Sequence, residues 1–171
     1  EELRLRVLLD VAQAMRYLHE HRPPIVHRDL RSPNIFVVSM DVHAPLVAKL
    51  ADFGLSRQAV RFGDILKTWQ WLAPEVIDPE TTGYDERSDV YSFAMVAWEL
   101  ATGLVEAPFY EYADQPDMSV KEDIIRRGLR PTVPSSLSSA YAQLMKDCWA
   151  GDSRDRPSFA TVCARLEQVL R

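Results

Sequence analysis

The 171-residue chain has little cysteine, no excess of positive charge and no long apolar run. Its two cysteines, Cys148 and Cys163, belong to no C-x-x-C pair. Disulfide scaffolds are cysteine-dense, so such a framework is excluded. A reducing, cytoplasmic setting is expected, with both thiols acting as small apolar groups on buried helix faces. The formal net charge is −5, which argues against nucleic-acid binding as the main role, because no basic face is implied. The most apolar stretch, Val90 to Leu100, is too short to span a bilayer and carries Glu99. No internal repeat or low-complexity tract occurs, and no signal peptide is expected. His19, His21, His27 and His43 show no metal-ligand spacing with the cysteines.

What is present suits one domain with a sizeable core: 47% of the residues are apolar and 26% charged. The chain opens at Glu1-Glu2 inside a helical pattern, as a piece cut from something longer would. Val7, Val11, Ala14 and Leu18 recur at helical spacing and predict a helix over 3–20, ended by Pro23-Pro24. Short strands are expected at 25–26, 35–38 and 46–50, with the polar stretch 39–45 as a hairpin connection. Residues 51–79 lose periodicity, and long irregular stretches in compact domains are usually functional. Further helices are predicted over 87–102, 120–127, 137–149 and 158–170. The first is apolar almost all round and should be buried, with Gly103 as its stop. Ser158 is the expected cap of the last.

Within this frame, three short stretches occur in order. "HRDLRSPN" covers 27–34, "DFG" covers 52–54 and "APE" covers 73–75. The first matches the catalytic-loop pattern H-R-D-L-x-x-x-N. Alone, Asp29 and Asn34 read as turn residues. Followed by Asp52-Phe53-Gly54, they read as a site. Phosphoryl transfer needs positioning and charge neutralisation, a proton acceptor for a hydroxyl, and hard oxygen ligands for magnesium. Asp29 suits the acceptor. The Asp52 carboxylate and the Asn34 carbonyl oxygen suit the metal.

These motifs resemble the C-terminal lobe of a eukaryotic protein kinase over the entire chain. "SDVYSFAMVAWEL" and "CWAGDSRDRPSF" resemble its central and closing helices in the tyrosine-kinase and tyrosine-kinase-like branches. "HRDLRSPNIF", "APLVAKLADFGLS", "WQWLAPE" and "YSFAM" look most like the Roco, or leucine-rich-repeat, kinases. The resemblance implies a mainly α lobe with small β-hairpins at the catalytic cleft, a catalytic loop at 27–34 and an activation segment at 52–75. It implies ATP and Mg2+ as cofactors and a protein substrate. Asp29 would be the base, Arg31 would neutralise phosphate charge, and Phe36 would floor the adenine. His27 is expected to pack beneath Phe53 and transfer no proton. Asp89 would accept hydrogen bonds from catalytic-loop backbone, and Glu75 would pair with Arg156. Lys49 is read as a solvated strand residue, and Trp69, Trp71, Trp98 and Trp149 as core.

No G-x-G-x-x-G loop and no V-A-I-K strand occur. The N-terminal lobe that would supply the nucleotide clamp is therefore expected outside the chain, and these residues alone should be inactive. A pseudokinase and a free-standing interaction module are the competing readings. Thr68 lies seven residues before Glu75, where serine/threonine kinases carry a threonine bonded to the catalytic aspartate. No proline shelf for tyrosine lies between Gly54 and Pro74. The expected acceptor is Ser/Thr. Arg31 in place of the usual lysine, and Lys67 in place of the usual glycine, depart from the serine/threonine pattern, and a tyrosine-specific enzyme is the alternative. Ala94 replaces the usual glycine, as in Roco kinases. Ser56 and Thr68 are the only hydroxyl side chains between Gly54 and Ala73. Control by dimerisation or a neighbouring domain is expected rather than by a mid-loop phosphate.

Overall fold

A computed structural model describes residues 1–52, 66–81 and 83–170. Helix α1 (Glu2–His19) buries Leu5, Val7, Leu8, Leu9, Val11, Ala12 and Met15 along one side. Asp10 lies in that buried stripe, and its Oδ2 accepts the N–H groups of Val47 at 2.7 Å and Ala48 at 3.0 Å. The carboxylate thereby ties a small hairpin to the helix. Strand β1 (Ile35–Val37) pairs antiparallel with β2 (Ala48–Leu50), with Phe36 opposite Lys49. Lys49 is exposed, as expected.

The strand expected at 25–26 does not form. The Ile25 N–H returns to the Leu18 carbonyl at 3.0 Å and satisfies the end of α1 instead of a sheet edge. Among the described residues there is one hairpin, not several.

Two short turns over Leu66–Trp71, kinked at Thr68, lead into the four-residue helix α2 (Pro74–Ile77). Pro74 opens it, a position where a missing N–H costs nothing. Helix α3 (Glu86–Thr102) is the axis of the molecule: every residue from Ser88 to Leu100 is buried. Asp85 caps it by accepting from Arg87 N and Ser88 N, and Gly103 ends it at φ 95°. A side chain at that φ would be strained, so glycine is the stop.

Helices α4 (Asp117–Arg126), α5 (Ser139–Cys148) and α6 (Phe159–Val169) complete the lobe. Ser158 caps α6 by accepting from Thr161 N. Helix α4 begins three residues before its expected start, directly after Pro116. The apolar period starts only at Val120, whereas the polar first turn carries no such signal. α1 packs on α6, β2 and α3, and α5 packs on α3 and α6.

Leu8, Met15, Met95, Trp98, Leu144 and Leu166 are fully or almost fully buried. Each contributes about 1.5–3 kcal/mol by leaving water. Trp98 Nε1 donates to Thr132 O at 2.8 Å and Tyr141 OH to Ala97 O at 2.7 Å, so the polar edges of these two rings are satisfied. Cys148 and Cys163 are free and buried, and burial pushes the Cys148 thiol up to about 12.

The expected Glu75–Arg156 pair is present and bidentate. Nη1 meets Oε1 at 2.6 Å and Nη2 meets Oε2 at 2.8 Å, with Ser88 Oγ donating to Oε1 at 3.0 Å. Arg156 is wholly buried. Burial alone would raise the Glu75 carboxyl, but the hydrogen bonds and charge of Arg156 hold it below its ordinary value. Arg156→Leu should therefore cost about 3–5 kcal/mol in urea unfolding at pH 7, because it strands a carboxylate. A folded pKa below the ordinary 4.5 means this contribution is present above pH 4.5 and disappears as pH falls through the folded value. The gap between wild type and variant should accordingly narrow under acid.

Candidate active site

The loop 27–34 carries no regular structure except a 3-10 turn at Ser32–Asn34. Its buried backbone therefore needs partners from elsewhere. The Asp89 side chain, fully buried on α3, supplies them. Oδ2 accepts from His27 N at 2.8 Å and Oδ1 from Arg28 N at 3.0 Å. The same carboxylate meets His19 Nε2 at 2.9 Å and the Tyr84 hydroxyl at 3.1 Å. Burial, then the charge of Asp89, raise the Tyr84 phenol well above its ordinary value, so it remains a donor. Arg28 sits at φ 70°, a strained conformation for a non-glycine residue, and the paired N–H bonds hold it there.

This arrangement presents Asp29. Its carboxylate is clasped from both sides: Arg31 Nε donates to Oδ1 at 2.9 Å and Asn34 Nδ2 to Oδ2 at 2.8 Å. Asn34 Nδ2 also bonds the Asp29 carbonyl at 2.7 Å. The amide nitrogen is thus committed to the loop, and Oδ1 is the atom Asn34 can offer a cation. Asp52 follows β2 at φ 66°, with its side chain exposed. Asn34 and Ala51 are joined by backbone, Ala51 N to Asn34 O at 2.9 Å. The two expected metal ligands therefore stand on adjoining backbone. A carboxylate and an amide oxygen form a hard donor set of the kind that fits magnesium. Among the described residues no cluster of His, Cys, Asp and Glu forms a protein-only metal site.

His27 is buried beneath the loop. Asp29 N–H donates to Nδ1 at 3.3 Å, and Nε2 lies 3.2 Å from Ala51 O. An N–H only donates and a carbonyl only accepts, so Nε2 carries the proton and the ring is neutral. Burial lowers its pKa, against the pull of Asp89. The Phe53 that it was expected to support lies outside the described residues, as do Gly54 and Ser56.

Thr68 is half-buried at the kink of its segment. Trp69 donates from Nε1 to Asp117 at 3.1 Å, pinning that segment to α4. Trp69, Trp98 and Trp149 are core residues as expected, whereas Trp71 is only half-buried. Phe36 is 56% exposed on the hairpin, beside exposed Val37 and Val38.

Sequence reasoning missed Asp10 and the role of Glu99. Glu99, 5% exposed, accepts from Ser32 Oγ and from Trp71 Nε1, both at 2.8 Å. Burial raises its pKa, which the Trp71 and Ser32 hydrogen bonds oppose. The available signal was an acid inside an apolar helical stripe in each case.

These features define a class. Residues 1–166 match the family model for protein tyrosine and serine/threonine kinases, and the chain belongs to that family. Among its relatives is the probable serine/threonine-protein kinase roco11 of Dictyostelium discoideum, 43% identical over 95% of this chain and 11% of that protein. The probable serine/threonine-protein kinase qkgA of the same organism is 42% identical over 98% of this chain and 11% of its own length. Serine/threonine-protein kinase STY17 of Arabidopsis thaliana is 39% identical over 98% of this chain and 27% of its own. The chain thus spans roughly a tenth of the first two relatives. The likeness to Roco and tyrosine-kinase-like kinases holds. Among the described residues, no helix is long and apolar enough to cross a membrane.

His27 should titrate below 6.5 and show a protonated Nε2 with a bare Nδ1 at pH 7 in proton–nitrogen correlation spectra. A lowered folded pKa places its stability contribution above pH 6.5, to be lost as pH falls toward the folded value.

Proposed function

We propose that the chain is the C-terminal lobe of an ATP-dependent protein kinase that phosphorylates serine and threonine, with 27–34 as catalytic loop and 52–75 as activation segment. The observation that carries the reading is the Asp29 carboxylate, clasped by Arg31 and Asn34 on a loop suspended from Asp89. Asp29 takes the hydroxyl proton as the oxygen attacks the γ-phosphorus of ATP. The bond to the ADP oxygen breaks as the new phosphate ester forms. Arg31, 2.9 Å from Asp29, neutralises charge on the transferring group. Asn34 Oδ1 and Asp52 would hold magnesium, which would supply charge neutralisation for the transferring phosphate. Phe36, exposed on the hairpin, offers an apolar floor to the base. The nucleotide clamp is expected from residues outside the chain, so these 171 residues alone should not transfer phosphate. The free thiols of Cys148 and Cys163 support a cytoplasmic setting.

In the full protein, Asp29→Ala should lower kcat by roughly three orders of magnitude or more with little change in nucleotide affinity, because a base acts mainly in the transition state. Asp52→Ala should weaken magnesium–nucleotide binding as well. Steady-state kinetics beside nucleotide titration separates the two, and near-normal turnover in Asp29→Ala would remove the base assignment.

The acceptor reading rests on Thr68. A hydroxyl bonded from Thr68 to Asp29 would set the base at the depth of a short side chain. Thr68→Ala should then reduce turnover far more than ATP affinity, and a peptide array should show serine and threonine as the dominant acceptors. A dominant tyrosine signal would reverse the assignment.

A further inference from the structure

Glu99 lies on α3 nearly three turns beyond Asp89 and has no place in the reaction just described. It is nonetheless buried and fully engaged. One oxygen holds Ser32, the first residue of the 3-10 turn in the catalytic loop, and the other holds the indole N–H of Trp71. Ser32 lies between Arg31 and Asn34, the residues that clasp the two oxygens of Asp29. Trp71 lies three residues after Thr68, and its carbonyl accepts from Ser92 Oγ on α3 at 2.7 Å. One carboxylate thus joins the turn that shapes the base to the segment expected to meet the peptide.

We infer that Glu99 is a positioning residue that couples the peptide-docking segment to the catalytic loop, so that the placement of Trp71 sets the geometry around Asp29. The inference rests on the kinase reading above. The chemistry distinguishes the bridge from a charge effect. Trp Nε1–H donates only, so an oxygen must face Trp71; a serine hydroxyl donates or accepts. Glutamine can therefore keep both links, with its oxygen toward Trp71 and its amide N–H toward Ser32 Oγ. Leucine can keep neither.

The test is a double-mutant cycle in the full protein, with Ser32→Ala and Trp71→Phe assayed on a pooled serine/threonine peptide library. Each change alone should lower kcat by roughly tenfold through misplacement of the loop, with KM for ATP within about twofold of wild type. The double variant should fall no more than about twofold below the worse single one, because both remove the same bridge. Glu99→Gln should stay within about threefold of wild type, while Glu99→Leu should match the double variant. Losses that multiply to about a hundredfold, or a fully active Glu99→Leu, would overturn the coupling. A second readout does not depend on activity. With 5-fluorotryptophan incorporated, the fluorine resonance lost in Trp71→Phe identifies Trp71, and it should move in Ser32→Ala. An unmoved resonance would also overturn the inference. If wild-type protein phosphorylates nothing in the library, the kinase reading fails, and the fluorine shift still decides the bridge.

Discussion

The bonds from the Asp89 carboxylate to the backbone of His27 and Arg28 are the constraint on which the site depends. Loop 27–34 has no ladder or helix to absorb its buried N–H groups, and Arg28 is held at φ 70°. Such a conformation costs on the order of 1–3 kcal/mol and persists only where the surroundings over-determine it. Asp89 does so with donors from α1, the loop and the Tyr84 region at once. The loop therefore inherits the rigidity of the most buried helix in the molecule.

The same helix carries further anchors. Ser88 reaches Glu75, Ser92 reaches the Trp71 carbonyl, and Glu99 reaches Ser32 and Trp71. These polar groups interrupt a helix that is otherwise apolar nearly all round. Ser88 reaches the short helix α2, while Ser92 and Glu99 meet irregular segments, where secondary structure cannot supply the partner. The helix works as an internal jig: its apolar faces fix it in the core, and its few polar side chains fix the loops to it. The hairpin is tied down in a similar way, by Asp10 on α1.

How much of this was legible follows from what periodicity can and cannot report. The helices were visible because their apolar stripes repeat, and Ser158 and Gly103 marked ends by their own conformational chemistry. Asp29, Asn34 and Asp52 stood out as candidates because their spacing matches a pattern with a chemical reason. The failed strand at 25–26 shows the limit: two β-branched residues fit a strand locally, but Ile25 spends its N–H on α1. Helix α2 was invisible because four residues carry no period. Glu99 was seen only as a charge that bars a membrane span. Its role comes from a pair of contacts with residues 67 and 28 positions away, which no local pattern encodes.

An apolar core would be the less costly way to fold such a lobe. Replacing buried ion pairs with well-packed apolar residues is often neutral or stabilising, while removing one partner is not. Asp10, Asp89, Glu99 and the Glu75–Arg156 pair are all buried or largely so, and each ties a hairpin, a loop or a short helix to the rest of the lobe. Their value is placement. A catalytic carboxylate must be held within a fraction of an ångström, and packing alone leaves a loop several nearly equivalent arrangements. Directional bonds from a rigid helix remove that freedom. The exposed face of the site then needs no strong contacts of its own: Asp52 and Phe36 stay open to solvent, free to meet a ligand, because the groups behind the loop already fix its shape.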